Sequence, residues 1–152
     1  MLSKVLRASA LLIAGFAAAG AAAGADVTVR PAKGGFDDVK ERVMLAIGDK
    51  GLVLNYTAYV GDMLERTGKD IGRERRIYDR AEVLEFCSAS VSRSTMEADP
   101  RNIAYCPYAI AVYTLADDAE KVYIAYRKPP PTAPALRAVG RLLDAIVREA
   151  LQ

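Results

Sequence analysis

Cys87 and Cys106 are the only thiols in a chain of 152 residues, and they are the side chains with the most chemistry to offer. Two thiolates with a thioether from Met63 or Met96 would form a soft ligand set suited to Cu(I). Dithiol exchange is a second possibility, but efficient exchange usually relies on a CxxC at a helix start to lower the thiolate pKa, and this chain has neither that spacing nor a Met-rich motif. A third is a pair of buried, unlinked cysteines acting as small hydrophobes. The chain contains no histidine. His is the usual general base and the usual imidazole ligand, so Ser-His-Asp and Cys-His triads, His-ligated zinc and His-ligated haem are excluded.

Between Arg66 and Arg80, the cations Arg66, Lys69, Arg73, Arg75, Arg76 and Arg80 outnumber Asp70, Glu74 and Asp79. Guanidinium groups chelate carboxylate or phosphate in bidentate fashion, so Arg73, Arg75 and Arg76 are candidate anion ligands. The competing reading is a solvated connection that pairs with its own acids. The chain has eight tyrosines and no tryptophan, with Tyr105, Tyr108, Tyr113, Tyr123 and Tyr126 on or beside one predicted hairpin. Ordinary sheet packing accounts for such rings, and Tyr108 and Tyr126 are kept as binding candidates because tyrosine suits both an apolar pocket and a dimer interface. The acidic pairs Asp37-Asp38 and Asp117-Asp118 fall at a helix start and a turn, where local structure explains them. Gly34-Gly35 lacks the Lys and the spacing of a P-loop. No catalytic residue and no cofactor is indicated, and the balance leans away from an enzyme.

Composition sets the context for these residues. With 52% hydrophobic and 26% charged residues the chain has the balance of a folded domain. A net charge of +2 is too small to argue for nucleic acid. Residues 1–25 carry Lys4 and Arg7, then an uncharged run through Leu11, Leu12, Ile13 and Phe16, and end on Ala23-Gly24-Ala25. That is the order of a secretory signal peptide, with cleavage expected before Asp26. An uncleaved anchor is the rival, since the neutral stretch Ala8–Ala25 is at the edge of spanning length, but it is mostly Ala and Gly. Cleavage removes Lys4 and Arg7, which brings the 21 Lys and Arg level with the 19 Asp and Glu. Residues 26–152 are then a neutral single domain, expected in a periplasm or secreted, with no membrane attachment after cleavage.

Period-two alternation over Asp26–Arg30 predicts a first strand, ended by Pro31 and Gly34-Gly35. Phe36, Val39, Val43, Ala46 and Ile47 share one helix face, and Gly51 supplies the stop. Leu52–Val60 reads as a second strand, Gly61–Gly72 as a short or broken helix and 73–80 as a polar connection. Glu82–Ser88 reads as a third strand, followed by a short helix over Ser90–Ala98 that stops at Asp99-Pro100. Tyr108–Leu115 is almost continuously apolar, which predicts a central strand covered on both faces. Asp117-Asp118 turn the chain into a last strand at Val122–Tyr126. After Pro129–Pro131, the residues Leu136, Val139, Leu142, Leu143, Ile146, Val147 and Leu151 predict an amphipathic helix over about 133–151. The order predicts an α+β fold: a mostly antiparallel sheet covered on one face by the first and the long C-terminal helix.

Cys87 then ends one strand and Cys106 starts the next, so antiparallel pairing would bring them together. For an exported even pair the simplest outcome is a disulfide, which would stabilise by about 3 kcal/mol on the chain-entropy model.

From about residue 35 to 129 the chain resembles the DUF302 family. The resemblance is carried by GGFDDVKERVMLAIGDKGLVL, by VLEFCSAS with MEADPRNIAYCPYAIAVYTL, and by EKVYIAYRKP, with Ala98–Arg101 (ADPR) and Pro107 the most specific. It implies a TBP-like α+β arrangement and pairing as a homodimer; an interaction module is expected to form that dimer, or a complex, through the exposed sheet face. Many members have Gly-Asn-Pro and Leu-Pro-Leu where this chain has Cys87-Ser88-Ala89 and Cys106-Pro107-Tyr108, so both cysteines are peculiar to this branch. The resemblance implies no activity or ligand. The expectation is an exported binding or accessory module of unknown ligand, with a Cys87/Cys106 metal (copper) carrier, drawing on Met96, or a redox protein as the alternative.

Overall fold

The computed structural model describes residues 26–130 and 132–152; the segment 1–25, read above as a signal peptide, lies outside the described residues. The elements run β1 (Val27–Ala32), α1 (Phe36–Asp49), β2 (Leu54–Ala58), α2 (Val60–Asp70), β3 (Tyr78–Phe86), α3 (Ala89–Ala98), a 3-10 turn (Pro100–Tyr105), β4 (Tyr108–Leu115), β5 (Asp118–Arg127), a short 3-10 turn (Pro134–Leu136) and α4 (Arg137–Ala150). The strands form one antiparallel sheet in the order β1-β5-β4-β3-β2. The fold is α+β, and α1 and α4 cover one face of that sheet.

The apolar stripe of α1 (Phe36, Val39, Val43, Ala46, Ile47) is fully turned inward. It meets Val139, Leu143, Ile146 and Val147 of α4 and the inward residues Leu84, Phe86, Ile110, Val112, Val122 and Ile124 of the sheet. This is the single core among the described residues, and burial of such side chains is worth about 1.5–3 kcal/mol each relative to exposure. The Arg42 guanidinium ties the two helices by donating to the Ala150 carbonyl at 2.9 Å. Ser88 caps α3, its hydroxyl accepting from the Val91 N–H at 3.4 Å, as expected of a serine at that position.

Five expectations need correction. Gly61 and Gly68 do not break α2, which runs unbroken over Val60–Asp70. They are points of close approach: a Cβ on Gly61 would stand 2.9 Å from the Ala81 nitrogen, and one on Gly68 would stand 2.6 Å from the Arg73 carbonyl oxygen. Pro31 lies within β1, paired with Tyr123, because β1 is an edge strand, where a sheet tolerates proline. β3 begins at Tyr78, inside the supposed polar connection. β4 is central but has only one covered face, since Tyr108, Ile110, Val112 and Thr114 are buried while the alternate residues are half-exposed. The hairpin turn is Ala116-Asp117, and Asp118 already belongs to β5.

Candidate functional site

The β3–β4 ladder ends at the Phe86–Tyr108 pair, so the residues just beyond it converge. Cys87 and Cys106 meet there with sulfurs 2.9 Å apart, both half-buried. Burial first, and the neighbouring Cys106 thiol second, push the Cys87 thiol up to about 11. Such a thiol is a poor nucleophile at neutral pH, the opposite of an exchange-active cysteine. Ser92 Oγ donates to Cys106 Sγ at 3.8 Å and lies 2.9 Å from the Tyr108 hydroxyl, which joins α3 to the pair. Met96 is half-buried on α3 and Met63 is exposed on α2, its sulfur accepting from Thr67 Oγ1. Among the described residues, no three His, Cys, Asp or Glu side chains stand together as a metal ligand set.

The tyrosines divide by strand parity. Tyr108 and Tyr126 lie on the helix-covered side, with Tyr126 donating to Asp144 Oδ1 at 2.5 Å. Burial first, then the Asp144 carboxylate, push the Tyr126 hydroxyl up to about 12. Burial works against the Asp144 charge, but hydrogen bonds from Tyr126 and Lys128 outweigh it and hold that carboxyl below its ordinary range. Tyr113 and Tyr123 lie on the opposite, open face, stacked with ring centroids 5.2 Å apart. Tyr78 meets Tyr113 edge-on at 5.5 Å, and the Lys121 ammonium sits 5.3 Å from the Tyr123 ring centre.

One step along the strands from the Tyr113–Tyr123 pair, the open face carries an uncharged row across all five strands: Ala58, Val83, Ala111, Ala125 and Val29. Val83, Ala111 and Ala125 of this row, with Ala109, Tyr105 and Pro107, line a groove of about 650 Å³ that also reaches Tyr108, Tyr126, Val139 and Leu143. In the following row Glu85 pairs with Ala109, and Arg127 lies on the other side of Ala109, one residue beyond the Ile110–Tyr126 pair. The charged residues that line the groove are Asp26, Arg127 and Lys128, and Glu85 lies on the sheet face beside it. The cysteine pair stands at its end, since Cys106 joins the wall residues Tyr105 and Pro107.

Arg73 and Arg75 lie on the exposed segment between α2 and β3, away from this groove. Arg76 is engaged, 3.4 Å from Asp79 and 3.8 Å from Glu65. Sequence reasoning missed one ionic cluster altogether. Arg80 grips both Asp37 oxygens at 2.7 Å, lies 3.9 Å from the Phe36 ring centre and approaches Glu82 at 3.6 Å, while Lys40 reaches Glu82 at 3.2 Å. Hydrogen bonding from Arg80 holds Asp37 below the ordinary carboxylate range. The cluster fastens the start of α1 to β3.

The model of the family described as "Domain of unknown function DUF302" matches residues 27–152, from β1 to the end of α4. The chain belongs to the DUF302 family. The DUF302 match extends beyond residues 35–129, whose motifs carry the resemblance, and so takes in β1 and α4. The fold is shared with the crystal structure of an uncharacterized conserved DUF302 protein from Bacillus stearothermophilus, with a TM-score of 0.68 and 14% identity, covering 85% of this chain and 100% of that one. No curated protein matches the chain by sequence. Among the described residues of this DUF302 chain, no helix is long and apolar enough to cross a membrane.

Proposed function

We propose that this DUF302 protein is an exported binding or accessory module whose working surface is the open sheet face, and that two copies pair through it. The single supporting observation is the uncharged row Ala58–Val83–Ala111–Ala125–Val29, which spans the sheet without a polar interruption. Continuous apolar surface of this kind marks an interaction site. A two-fold axis running along β4 lays Val83 over the partner's Ala125, Ala58 over the partner's Val29, and Glu85 over the partner's Arg127. The pairing is self-complementary in shape and in charge, as an isologous interface requires.

Export rests on the charged, apolar and small-residue order of residues 1–25. In an oxidising compartment Cys87 and Cys106, already in contact, would be joined as a disulfide that fixes the Tyr105–Pro107 wall of the groove.

Sedimentation velocity on the mature chain tests the pairing. A concentration-dependent dimer is expected, with Glu85→Arg or Arg127→Glu each weakening it by about tenfold and the double charge swap restoring it. A protein that stays monomeric at every concentration, or a double swap no better than its single variants, overturns the proposal.

A further inference from the structure

A second cavity, larger than the groove above, lies elsewhere, between α2 and the chain that returns from it to β3. Gly72, at φ +66°, reverses the backbone after α2, a conformation that favours glycine. The Arg73 N–H then donates to the Gly68 carbonyl at 2.7 Å, which holds the returning segment against the helix. Its other end is fixed by the Ala116 N–H, which donates to the Ile77 carbonyl at 3.1 Å. The space between is about 920 Å³, and Leu64, Ile71, Ile77 and Tyr78 line it. Small-molecule sites commonly measure about 300–1,000 Å³.

Two features of this cavity suit a ligand. Ile71 is 67% exposed and Ile77 is 54% exposed, so two large aliphatic side chains face water across a concave space. An apolar body entering there would cover both. The rim carries four cations, Lys69, Arg73, Arg75 and Arg76, against Glu65 and Glu74. Arg76 is held by Glu65 and Asp79. Among the described residues the Arg73 and Arg75 side chains make no hydrogen bond or ion pair. Their planar forks match a carboxylate or phosphate.

We infer that this cavity binds a small amphipathic anion: an apolar organic body beside Leu64, Ile71 and Ile77, with a carboxylate or phosphate head on Arg73 and Arg75. The inference does not depend on the pairing of two copies.

Titration calorimetry on the mature chain tests it with four probes of one chain length: dodecanoate, dodecyl phosphate, dodecanol and dodecyltrimethylammonium, each below its micelle concentration. The two anions should bind one per chain and more tightly than the cation by at least about tenfold. Arg73→Gln with Arg75→Gln should weaken both anions by about tenfold and leave dodecanol unchanged, while Ile71→Ser with Ile77→Ser should weaken all probes that bind. All four positions are exposed, and circular dichroism verifies that the variants stay folded. Glu85→Arg, placed on the open sheet face, should leave anion binding intact. Equal affinity for cation and anion, no anion binding up to millimolar concentration, or anion binding unchanged by the arginine substitutions would overturn the inference. Binding to phosphatidylglycerol vesicles without binding of the monomeric anions would also overturn it and assign the basic segment to a lipid surface.

Discussion

Cys87 and Cys106 lie sulfur to sulfur at 2.9 Å because the β3–β4 ladder stops one residue before Cys87 and two residues after Cys106. The two sulfurs thus meet just past the last paired residues of the ladder.

The state of this pair is directly countable. Mature protein taken from an oxidising compartment should release no thiol to Ellman's reagent until reduced, and two after reduction. Replacing both cysteines by serine should lower unfolding free energy by about 3 kcal/mol relative to the oxidised protein. In the reduced protein, Cys87 should alkylate slowly at neutral pH, since its thiol is pushed up to about 11. Two free thiols without reductant would sink the disulfide.

Tyr126 should make stability fall as alkali is added. In the unfolded chain a tyrosine ionises near its ordinary value of about 10, whereas in the folded chain burial and Asp144 hold Tyr126 protonated up to about 12. Between those two values the folded state retains a proton that the unfolded state has released, so its advantage is complete below pH 10 and disappears as pH rises through 12. Tyr126→Phe should flatten that part of the stability curve while lowering stability at pH 7 by about 1–2 kcal/mol through the lost bond to Asp144. Parallel alkaline curves for the two proteins would contradict this.

The same substitution at two helix glycines should act in opposite directions. Gly48→Ala on α1 meets nothing within 4 Å and should stabilise by about 0.5–1 kcal/mol. Gly68→Ala on α2 places a methyl 2.6 Å from the Arg73 carbonyl oxygen, which is backbone, and should destabilise by about 1–3 kcal/mol. Urea unfolding of both variants measures the pair, and a stable Gly68→Ala protein would refute the close approach.

Export predicts a defined first residue. N-terminal sequencing of protein from a periplasmic or secreted fraction should begin at Asp26. Retention of Lys4 and Arg7 in a membrane fraction would instead support the uncleaved anchor.

The elements legible in the sequence are those whose pattern is set by the core alone. The stripes of α1 and α4 and the strand β4 stand out because their inward positions are apolar, apart from Thr114 at the far end of β4. The start of β3 was hidden for a physical reason: its inward positions Arg80 and Glu82 lie beyond the apolar core and face Asp37 and Lys40, so charge replaced the expected period-two signal. The glycines of α2 read as breaks because propensity says nothing about a neighbouring backbone 2.9 Å away. The same limit applies to the candidate site. The tyrosine-rich hairpin was visible, but which rings faced outward depended on register, and Tyr78 joined Tyr113 only once β3 was known to begin there.

Pro31 and the shortness of β2 bear on the proposed pairing at the two margins of the sheet. One outer strand carries a residue with no N–H to give, and the other is a five-residue strand with an irregular register, beyond which α2 lies against the rest of β3. Neither margin of the sheet offers a long, regular ladder on which another chain could add itself. The pairing proposed above would consume the broad face in both copies and so end at a pair, where open ladders would allow growth into a fibre.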